Sequence, residues 1–485
     1  MRCDDILPLF PGLSAEGFPD ILGVTADSRA VRPGFLFAAL PGARADGMRF
    51  VADAVAAGAA AILAPEGADW PAEAPQRPFL RTADPRRALA LIAAAFHGAQ
   101  PERVAAITGT NGKTSTADFL RQILGERAAS LGTLGLIAAG FPRGESLTTP
   151  DPVALHATLA ALQRAGINDL ALEASSHGLD QRRLDGVRLA AAAFTNLTRD
   201  HLDYHGDMAA YRAAKLRLFD TLLPPGAPAV IQTEMEAPTL EALRGIIARR
   251  GLRGIEVGEA GSDLRLISQR VLPAGQVIEV DAFGQRAEIP LAVPGRFQAD
   301  NALVASGLAV GMGRPVPQVL DALARLAPVR GRMELAATLA HGAAIYVDYA
   351  HTPDALTRLL AALRPHVGSG GRLHVLFGAG GDRDPGKRPL MGAAAAAGAD
   401  QLWVTDDNPR SEDPAAIRAA ILAAAPGARD AGERAAAIAL ALDALRPGDV
   451  LAVAGKGHES GQTIAGVTTP FDDADMVRRL AGVRP

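Results

Sequence analysis

The chain of 485 residues has a single cysteine, Cys3. One thiol cannot close an internal disulfide or build a thiolate zinc site. Aromatic residues make up only 4%, too few for a base-stacking platform. A cationic excess is missing as well. Lys plus Arg number 49 against 53 Asp plus Glu, so no basic field exists to hold a nucleic-acid backbone. No apolar run reaches the ~18 residues of a membrane span, because glycine and charge break the alanine-rich stretches. The opening MRCDDILPLFPGL lacks the basic start and long apolar core of a secretion signal. Together these absences predict a cytoplasmic protein with no nucleic-acid partner and no membrane span. What is present, 48% hydrophobic and 21% charged residues, suits a globular enzyme. The length calls for two or three domains.

Three blocks follow from the patterning. Block one, residues 1–98, has short apolar runs, FLFAAL and AAAILA, between Gly and Pro turns. It closes on the helical pattern PRRALALIAAAFHG, which Gln100-Pro101 would interrupt. Block two, residues 99–328, alternates strand-like NDLALEAS and AAAFTNL with helix-like DPVALHATLAALQRAG. That alternation predicts a parallel α/β sheet covered on both faces. From about 254 to 293 the pattern turns to short alternating strands, RLISQRV and QVIEVDAF, which predict an antiparallel edge. Block three, residues 329–485, alternates AAIYVDYA, RLHVLFGAG, QLWVTDD and DVLAVAG with alanine-rich helices, resembling an open nucleotide-binding sheet.

Block two opens with AAITGTNGKTSTADFL, an apolar strand, a glycine turn and a helix. Gly109, Thr110, Asn111 and Gly112 would turn tightly and leave amides bare toward an anion. Lys113 adds a point charge, Thr114 a hydroxyl for Mg²⁺, and Ser115 begins a helix aimed at the phosphates. The usual phosphate loop has four residues between its first Gly and its Gly-Lys; this one has two. Taken alone, the stretch is equally a glycine turn with a solvated lysine. Glu173 ends an apolar strand, where it could reach a metal beside the loop. TNLTRDHLDYHG then gathers Asn196, Asp200, His201, Asp203 and His205, a mix of imidazole and carboxylate that suits a divalent cation.

GTNGKTST, LEASSHGLDQRR, TNLTRDHLDYHG, YRAAKLRLF, GRMELA, VDYAHTPDAL and GAGGDRDPGKRPLM occur in the order seen in the Mur ligase family, which adds amino acids to the peptidoglycan precursor. The resemblance runs from about Asp27 to Glu459 and explains the short loop, a form the family uses. It implies an N-terminal α/β uridine-binding domain, a central P-loop-type parallel-sheet ATPase domain and a C-terminal Rossmann-like α/β domain. The reaction implied is ATP-dependent amide formation through an acyl phosphate, with Mg²⁺ as cofactor.

The resemblance also implies roles, residue by residue. Lys113 would bridge the outer phosphates. Thr114 and Glu173 would ligate one Mg²⁺ and His201 a second. Lys215 would carry a carbamate (N6-carboxylysine) as a further ligand. Asp348 and His351 would lie near the phosphates, and Asn301 and Arg332 would contact ATP. The stretch TADSRAVRPGFLFAALPGARADG resembles the uridine-binding part of the diaminopimelate- and lysine-adding members, with Ser28 at the UDP portion. Thr148, Thr149, Ser175, Gln181 and Arg183 match positions that hold UDP-N-acetylmuramoyl-L-alanyl-D-glutamate. Asp407, Asn408, Pro409 and Arg410 match the string of members that add meso-diaminopimelate. Arg410 and Arg383 would clamp its far carboxylate, while Glu459 and the Gly455 carbonyl would receive its far ammonium. A monomer is expected, with the third block closing over ATP. Two alternatives stay open: a lysine-adding sister on the same scaffold, and a nucleotide-binding relative without turnover. Folylpolyglutamate synthase is a more distant sister, disfavoured by the uridine-type first block.

Overall fold

The computed structural model describes residues 18–42, 46–142, 147–272 and 275–482. Cys3 and the opening stretch MRCDDILPLFPGL, on which two of the expectations above rest, lie outside the described residues.

Continuous apolar runs become strands buried on both faces, as the sequence predicts. In the first unit, β1 (Gly23–Thr25), β2 (Phe35–Ala38), β3 (Ala61–Pro65) and β4 (Phe79–Thr82) pair in chain order, all parallel. Its last helix, Pro85–His97, starts with Asp84 accepting from the Arg87 amide and Pro85 in the first turn. It stops at Gly98, whose φ of 69° is left-handed.

The central sheet has ten strands. They are β5 (Arg103–Thr108), β6 (Ala128–Gly132), β7 (Gly135–Ile137), β8 (Asp169–Glu173), β9 (Leu189–Phe194), β10 (Pro228–Gln232), β11 (Arg253–Gly258), β12 (Leu264–Leu272), β13 (Gly275–Ala282) and β14 (Gln285–Leu291). Their order is β14-β13-β12-β11-β10-β9-β5-β8-β6-β7. Along β5, Ala105 and Ile107 enter one core while Val104 and Ala106 enter the other, so both faces carry helices. The predicted antiparallel edge is the β12-β13-β14 meander, joined to the parallel part through β11.

The third sheet runs β15 (Glu334–Thr338), β16 (Ala344–Asp348), β20 (Val450–Ala454), β17 (Leu373–Phe377), β18 (Gln401–Thr405), β19 (Arg429–Gly432). Only the edge strand β15 is antiparallel. A separate hairpin, β21 (Gly461–Ile464) with β22 (Val467–Pro470), follows β20. Among the described residues no helix is long and apolar enough to cross a membrane.

In both larger sheets the loops of interest leave the carboxyl ends of parallel strands, where open α/β sheets bind ligands. The glycine loop follows β5, Glu173 ends β8, and the His201 segment follows β9. From the third sheet come Asp348 at the end of β16 and the loops after β17, β18 and β20.

Candidate active site

Steric crowding dictates the glycines of the loop after β5. Gly109 has φ 146°, and a Cβ there would lie 1.9 Å from Thr195 Oγ1. At Gly112, φ 89°, a Cβ would lie 2.3 Å from Asn301 Oδ1. Thr195 Oγ1 donates to Asn111 O at 2.6 Å, and Asn196 Nδ2 donates to the same carbonyl at 3.0 Å. Asn196 Oδ1 accepts from the Asn111 amide at 3.0 Å. The loop is thus bolted to the segment after β9. Lys113 opens the helix Lys113–Leu124, and its Nζ donates to Gly109 O at 2.9 Å and Thr110 O at 2.8 Å. Burial pulls its ammonium below the ordinary lysine range, against the opposing charges of Glu173 and Asp200.

Thr114 and Glu173 meet: the hydroxyl donates to Oε2 at 3.1 Å. Glu173 also accepts from the Thr133 amide at 2.8 Å and from the Thr133 hydroxyl at 3.1 Å. Thr148 Oγ1 lies 3.1 Å from Thr133 Oγ1. Thr149 is buried; its hydroxyl donates to Glu173 O at 2.8 Å and accepts from the Ser175 amide and hydroxyl. Ser175 in turn caps the short helix Ser176–Asp180. Thr149 and Ser175 therefore brace Glu173 within the fold.

His201 follows β9 in a left-handed conformation, φ 52°, with its amide on Asp200 Oδ1 at 2.9 Å and its Nε2 3.5 Å from Asp200 Oδ2. Burial lowers its pKa, which keeps the imidazole neutral. Its ring sits 4.9 Å from that of His177. Lys215, on the helix Met208–Arg217, is 1% exposed. Its Nζ donates to Gly109 O at 2.7 Å and lies 4.6 Å from the Tyr211 ring centre. Burial first, then the charge on Lys113, drives its pKa well below the lysine range. The neutral amine that carbamate formation needs is the form this environment favours.

The opposite wall comes from the third sheet. Arg332 donates to Thr114 Oγ1 at 3.1 Å and lies 4.4 Å from the Tyr349 ring centre. Asp348 accepts from the Met333 amide at 2.7 Å and the Ala350 amide at 2.8 Å, and burial raises its pKa. His351 Nδ1 sits 2.8 Å from Tyr349 O, and burial lowers its pKa. Asn301 lies within the helix Arg296–Gly311, not at its cap, and bonds Gln298 Oε1 at 3.1 Å. One cleft is lined by Thr110 to Ser115, Glu173, His201, Asn301, Arg332, Asp348 and His351. Phe297, Ala350 and Ala355 are among its apolar lining residues.

A second cleft shares Asp200, His201, Tyr349 and His351 with the first, and adds Arg383, Asp407, Asn408, Arg410, Gly455 and Glu459. Pro409 is not part of its lining; its carbonyl packs where a Cβ on Gly381 would be, at 1.9 Å. Arg410 has φ 54°, and its guanidinium donates to Gly381 O at 2.8 Å. Among the described residues, neither Arg383 nor Arg410 has a carboxylate within 4.0 Å. Glu459 is already engaged: Oε2 accepts from Asn408 Nδ2 at 2.8 Å and lies 3.2 Å from Lys456 Nζ.

Near the first sheet, a groove is lined by Thr25, Ala26, Asp27, Gln181 and Arg183. Ser28 opens the turn Ser28–Ala30 next to this wall without lining it. Arg183 donates to Thr149 O at 2.6 Å and to Gln181 Oε1 at 2.8 Å. Gln181 and Arg183 thus join this groove to the threonines near Glu173.

Pattern matches cover most of the chain in three pieces: Mur ligase family, catalytic domain at residues 20–97; Mur ligase middle domain at 107–309; Mur ligase, glutamate ligase domain at 331–457. The chain belongs to the Mur ligase family. It is 55% identical over 475 residues, 96% of each chain, to a UDP-N-acetylmuramoyl-L-alanyl-D-glutamate--2,6-diaminopimelate ligase of Caulobacter vibrioides. Against the ligase of the same name from Bradyrhizobium diazoefficiens it is 52% identical over 94% of each chain. A solved structure of a ligase of that name superposes with a TM-score of 0.70 at 30% identity, covering 99% of both chains. These findings bear out the family resemblance and the three-part α/β fold.

Mg²⁺ is the ion the family resemblance implies, and the donors present fit it. Thr114 Oγ1 and the Glu173 carboxylate supply hard oxygens side by side. Among the described residues no three His, Cys, Asp or Glu side chains converge into a cage. Mg²⁺ is ordinarily held by one or two carboxylates plus substrate phosphates, so no cage is required. Thr133, Tyr349, Lys387 and Lys456 escaped the sequence reading. Thr133 sits in an ordinary-looking LGTLG turn; Tyr349 and Lys387 lie inside VDYAHTPDAL and GAGGDRDPGKRPLM, and Lys456 stands three residues before Glu459.

Proposed function

We propose that this chain joins meso-diaminopimelate to UDP-N-acetylmuramoyl-L-alanyl-D-glutamate, using ATP, in cytoplasmic peptidoglycan precursor synthesis. The observation that carries the reading is the second cleft. Arg383 and Arg410 line it with no carboxylate within 4.0 Å among the described residues, Glu459 lines it together with aspartates that include Asp384 and Asp407, and it shares Asp200, His201, Tyr349 and His351 with the glycine-loop cleft. A carboxylate with an ammonium beside it is what two arginines and a glutamate would hold.

Each block carries one substrate: 1–98 the uridine end, 99–328 the nucleotide, 329–485 the amino acid. Gly109 to Ser115 cradle the phosphates, Asn301 and Arg332 contact the nucleotide from the far wall, and Gln181, Arg183, Thr148 and Thr149 guide the muramoyl-dipeptide toward Glu173. Its terminal carboxylate attacks the γ-phosphorus, ADP departs, and an acyl phosphate forms. The amine then attacks the acyl carbon, phosphate leaves and a proton is released. The chain's task is to align these groups and exclude water. Lys113 moves toward the transferred phosphoryl group, and His351 and Asp348 order the wall opposite it. Thr114 and Glu173 would hold one Mg²⁺ and His201 with carbamylated Lys215 a second. Bound there, the ions would neutralise phosphate charge.

One reaction panel tests the proposal: acceptor and ATP with diaminopimelate or lysine, in wild type and Arg410→Ala. Wild type should form an amide with diaminopimelate and release phosphate only when both co-substrates are present. Arg410→Ala should lose diaminopimelate use far more than nucleotide binding. Equal use of lysine by wild type would overturn the amino-acid assignment. Phosphate release without the amine would overturn the ligase reading.

A further inference from the structure

Lys456 is fully buried, 0% exposed, at the turn after β20. A buried ammonium is tolerated only where acceptors surround it. Its Nζ donates to Gly461 O at 2.6 Å, to Asn408 Oδ1 at 3.3 Å and to Glu459 Oε2 at 3.2 Å. Two of these three acceptors are side chains of the second cleft. Asn408 Nδ2 also donates to Glu459 Oε2 at 2.8 Å, so that one oxygen is held by both residues while neither engages Oε1.

We propose that Lys456 is a positioning and specificity residue for the amino-acid substrate, an inference that rests on the functional reading above. It acts through Glu459 and Asn408 and does not line the cleft itself. By pinning Oε2, it leaves Oε1 of Glu459 to receive an ammonium. Its cation also offsets the Glu459 charge, so the acid alone does not attract any amine. A side chain ending in a bare ammonium leaves Arg383 and Arg410 facing no anion and meets a Glu459 whose charge Lys456 already offsets. One ending in both carboxylate and ammonium satisfies all of them.

Hairpin β21–β22 completes the support. Thr463 donates its amide to Asn408 Oδ1 at 2.9 Å, and Gln462 Nε2 donates to Asp407 O at 2.7 Å. The Arg410 amide bonds Thr463 O at 3.0 Å, and the Ala465 amide bonds Arg410 O at 2.7 Å. Lys456 grips this hairpin at Gly461 O, so a single ammonium ties hairpin, Asn408 and Glu459 together.

The test is steady-state kinetics of Lys456→Met with each substrate varied in turn. KM for diaminopimelate should rise about tenfold while KM for ATP and for the muramoyl-dipeptide stay within about twofold. The preference for diaminopimelate over lysine in kcat/KM should fall by about tenfold or more. In a Glu459→Gln background the same substitution should change KM for diaminopimelate by less than about threefold. If Lys456→Met does not fold, Lys456→Gln, which keeps a donor for Gly461 O, carries the same expectations. An unchanged preference, or three KM values rising together, overturns the assignment. Wild type is the control that separates failures. If it forms no amide with diaminopimelate, the functional reading falls; if it does and the preference holds in the variant, only the role of Lys456 falls.

Discussion

A methyl group at Gly112 would sit 2.3 Å from Asn301 Oδ1, on a backbone with φ 89°. Both the clash and the left-handed strain oppose it, the strain alone costing about 1–2 kcal/mol. Gly112→Ala should therefore weaken ATP binding by at least roughly tenfold, read by calorimetric titration, because the loop and Asn301 must part. A second residue reports on acid stability. His156, in the helix Pro152–Arg164, is buried, with Nε2 3.2 Å from Asp185 O and Nδ1 unpartnered among the described residues. Burial lowers its pKa from 6.5 to about 4. As pH falls, the unfolded chain takes up this proton before the folded one does. The contribution to stability is complete above pH 6.5 and is lost progressively toward pH 4. Between pH 7 and pH 5 that loss is roughly 2 kcal/mol. His156→Gln removes the titration, so urea unfolding should show it losing about that much less stability than wild type across the interval. A variant with the same pH slope as wild type would contradict this.

The helix Asp473–Leu480 is fastened to the third unit by two ion pairs, Arg478 with Glu334 and the buried Arg434 with Asp473. Arg434 and Asp473 are both 0% exposed and meet through two bonds of 2.7 Å. Arg434 also donates to Asp406 O at 3.2 Å and Ala454 O at 3.0 Å, the carbonyls just before Asp407 and Gly455. Asp473→Ala would strand the guanidinium, at a cost of about 3–5 kcal/mol. Chemical denaturation should register it, and Arg434→Met with Asp473→Leu should recover part of the loss. Nothing in the sequence marked this pair, whose members stand 39 residues apart. What was legible was periodic: the run 104–107 as a buried strand, Pro85–His97 as a capped helix, β12 to β14 as an alternating edge. The strand-like run QLWVTDD proved two residues shorter, ending at Thr405, so Asp407 to Arg410 lie in the loop after it, where Asn and Pro suit a strand end. The left-handed φ of Arg410 could not be read. The hairpin β21–β22 imposes it from more than fifty positions downstream, and GQTIAGVTTP is too short and polar to announce itself. Carboxylate geometry was equally hidden: Glu459 looked like an open receptor for an ammonium, and the fold has already given one of its oxygens to Lys456 and Asn408.

At the scale of the whole molecule, the glycine-loop cleft and the second cleft are neighbours that share Asp200, His201, Tyr349 and His351, with walls from different sheets. Two hydrogen bonds cross it directly: Arg332 to Thr114 Oγ1 at 3.1 Å, and Asn111 Nδ2 to Asp354 Oδ2 at 3.3 Å. All four residues border these clefts, so these two contacts are ones a bound nucleotide would rearrange, while Gln298 Nε2 donating to Arg332 O at 3.3 Å and Phe297 packed on the third core also join the units. Thr114 cannot keep Arg332 and Glu173 unchanged while also serving a metal and phosphates. The third unit must then be held by ligand instead of by these contacts, and its position becomes ligand-dependent. Amide formation sets the direction. The amine must reach the acyl carbon while water is kept out, which favours closure once all three substrates are present. Small-angle scattering should show a smaller radius of gyration with a non-hydrolysable ATP analogue, muramoyl-dipeptide and diaminopimelate together than with no ligand. The analogue alone should produce less of the change, since the second cleft would lack the far carboxylate that draws Arg383 and Arg410 inward. Superimposable profiles under all three conditions would mean that the units are already fixed in their working arrangement, and that the hydrogen bonds across the cleft persist during turnover.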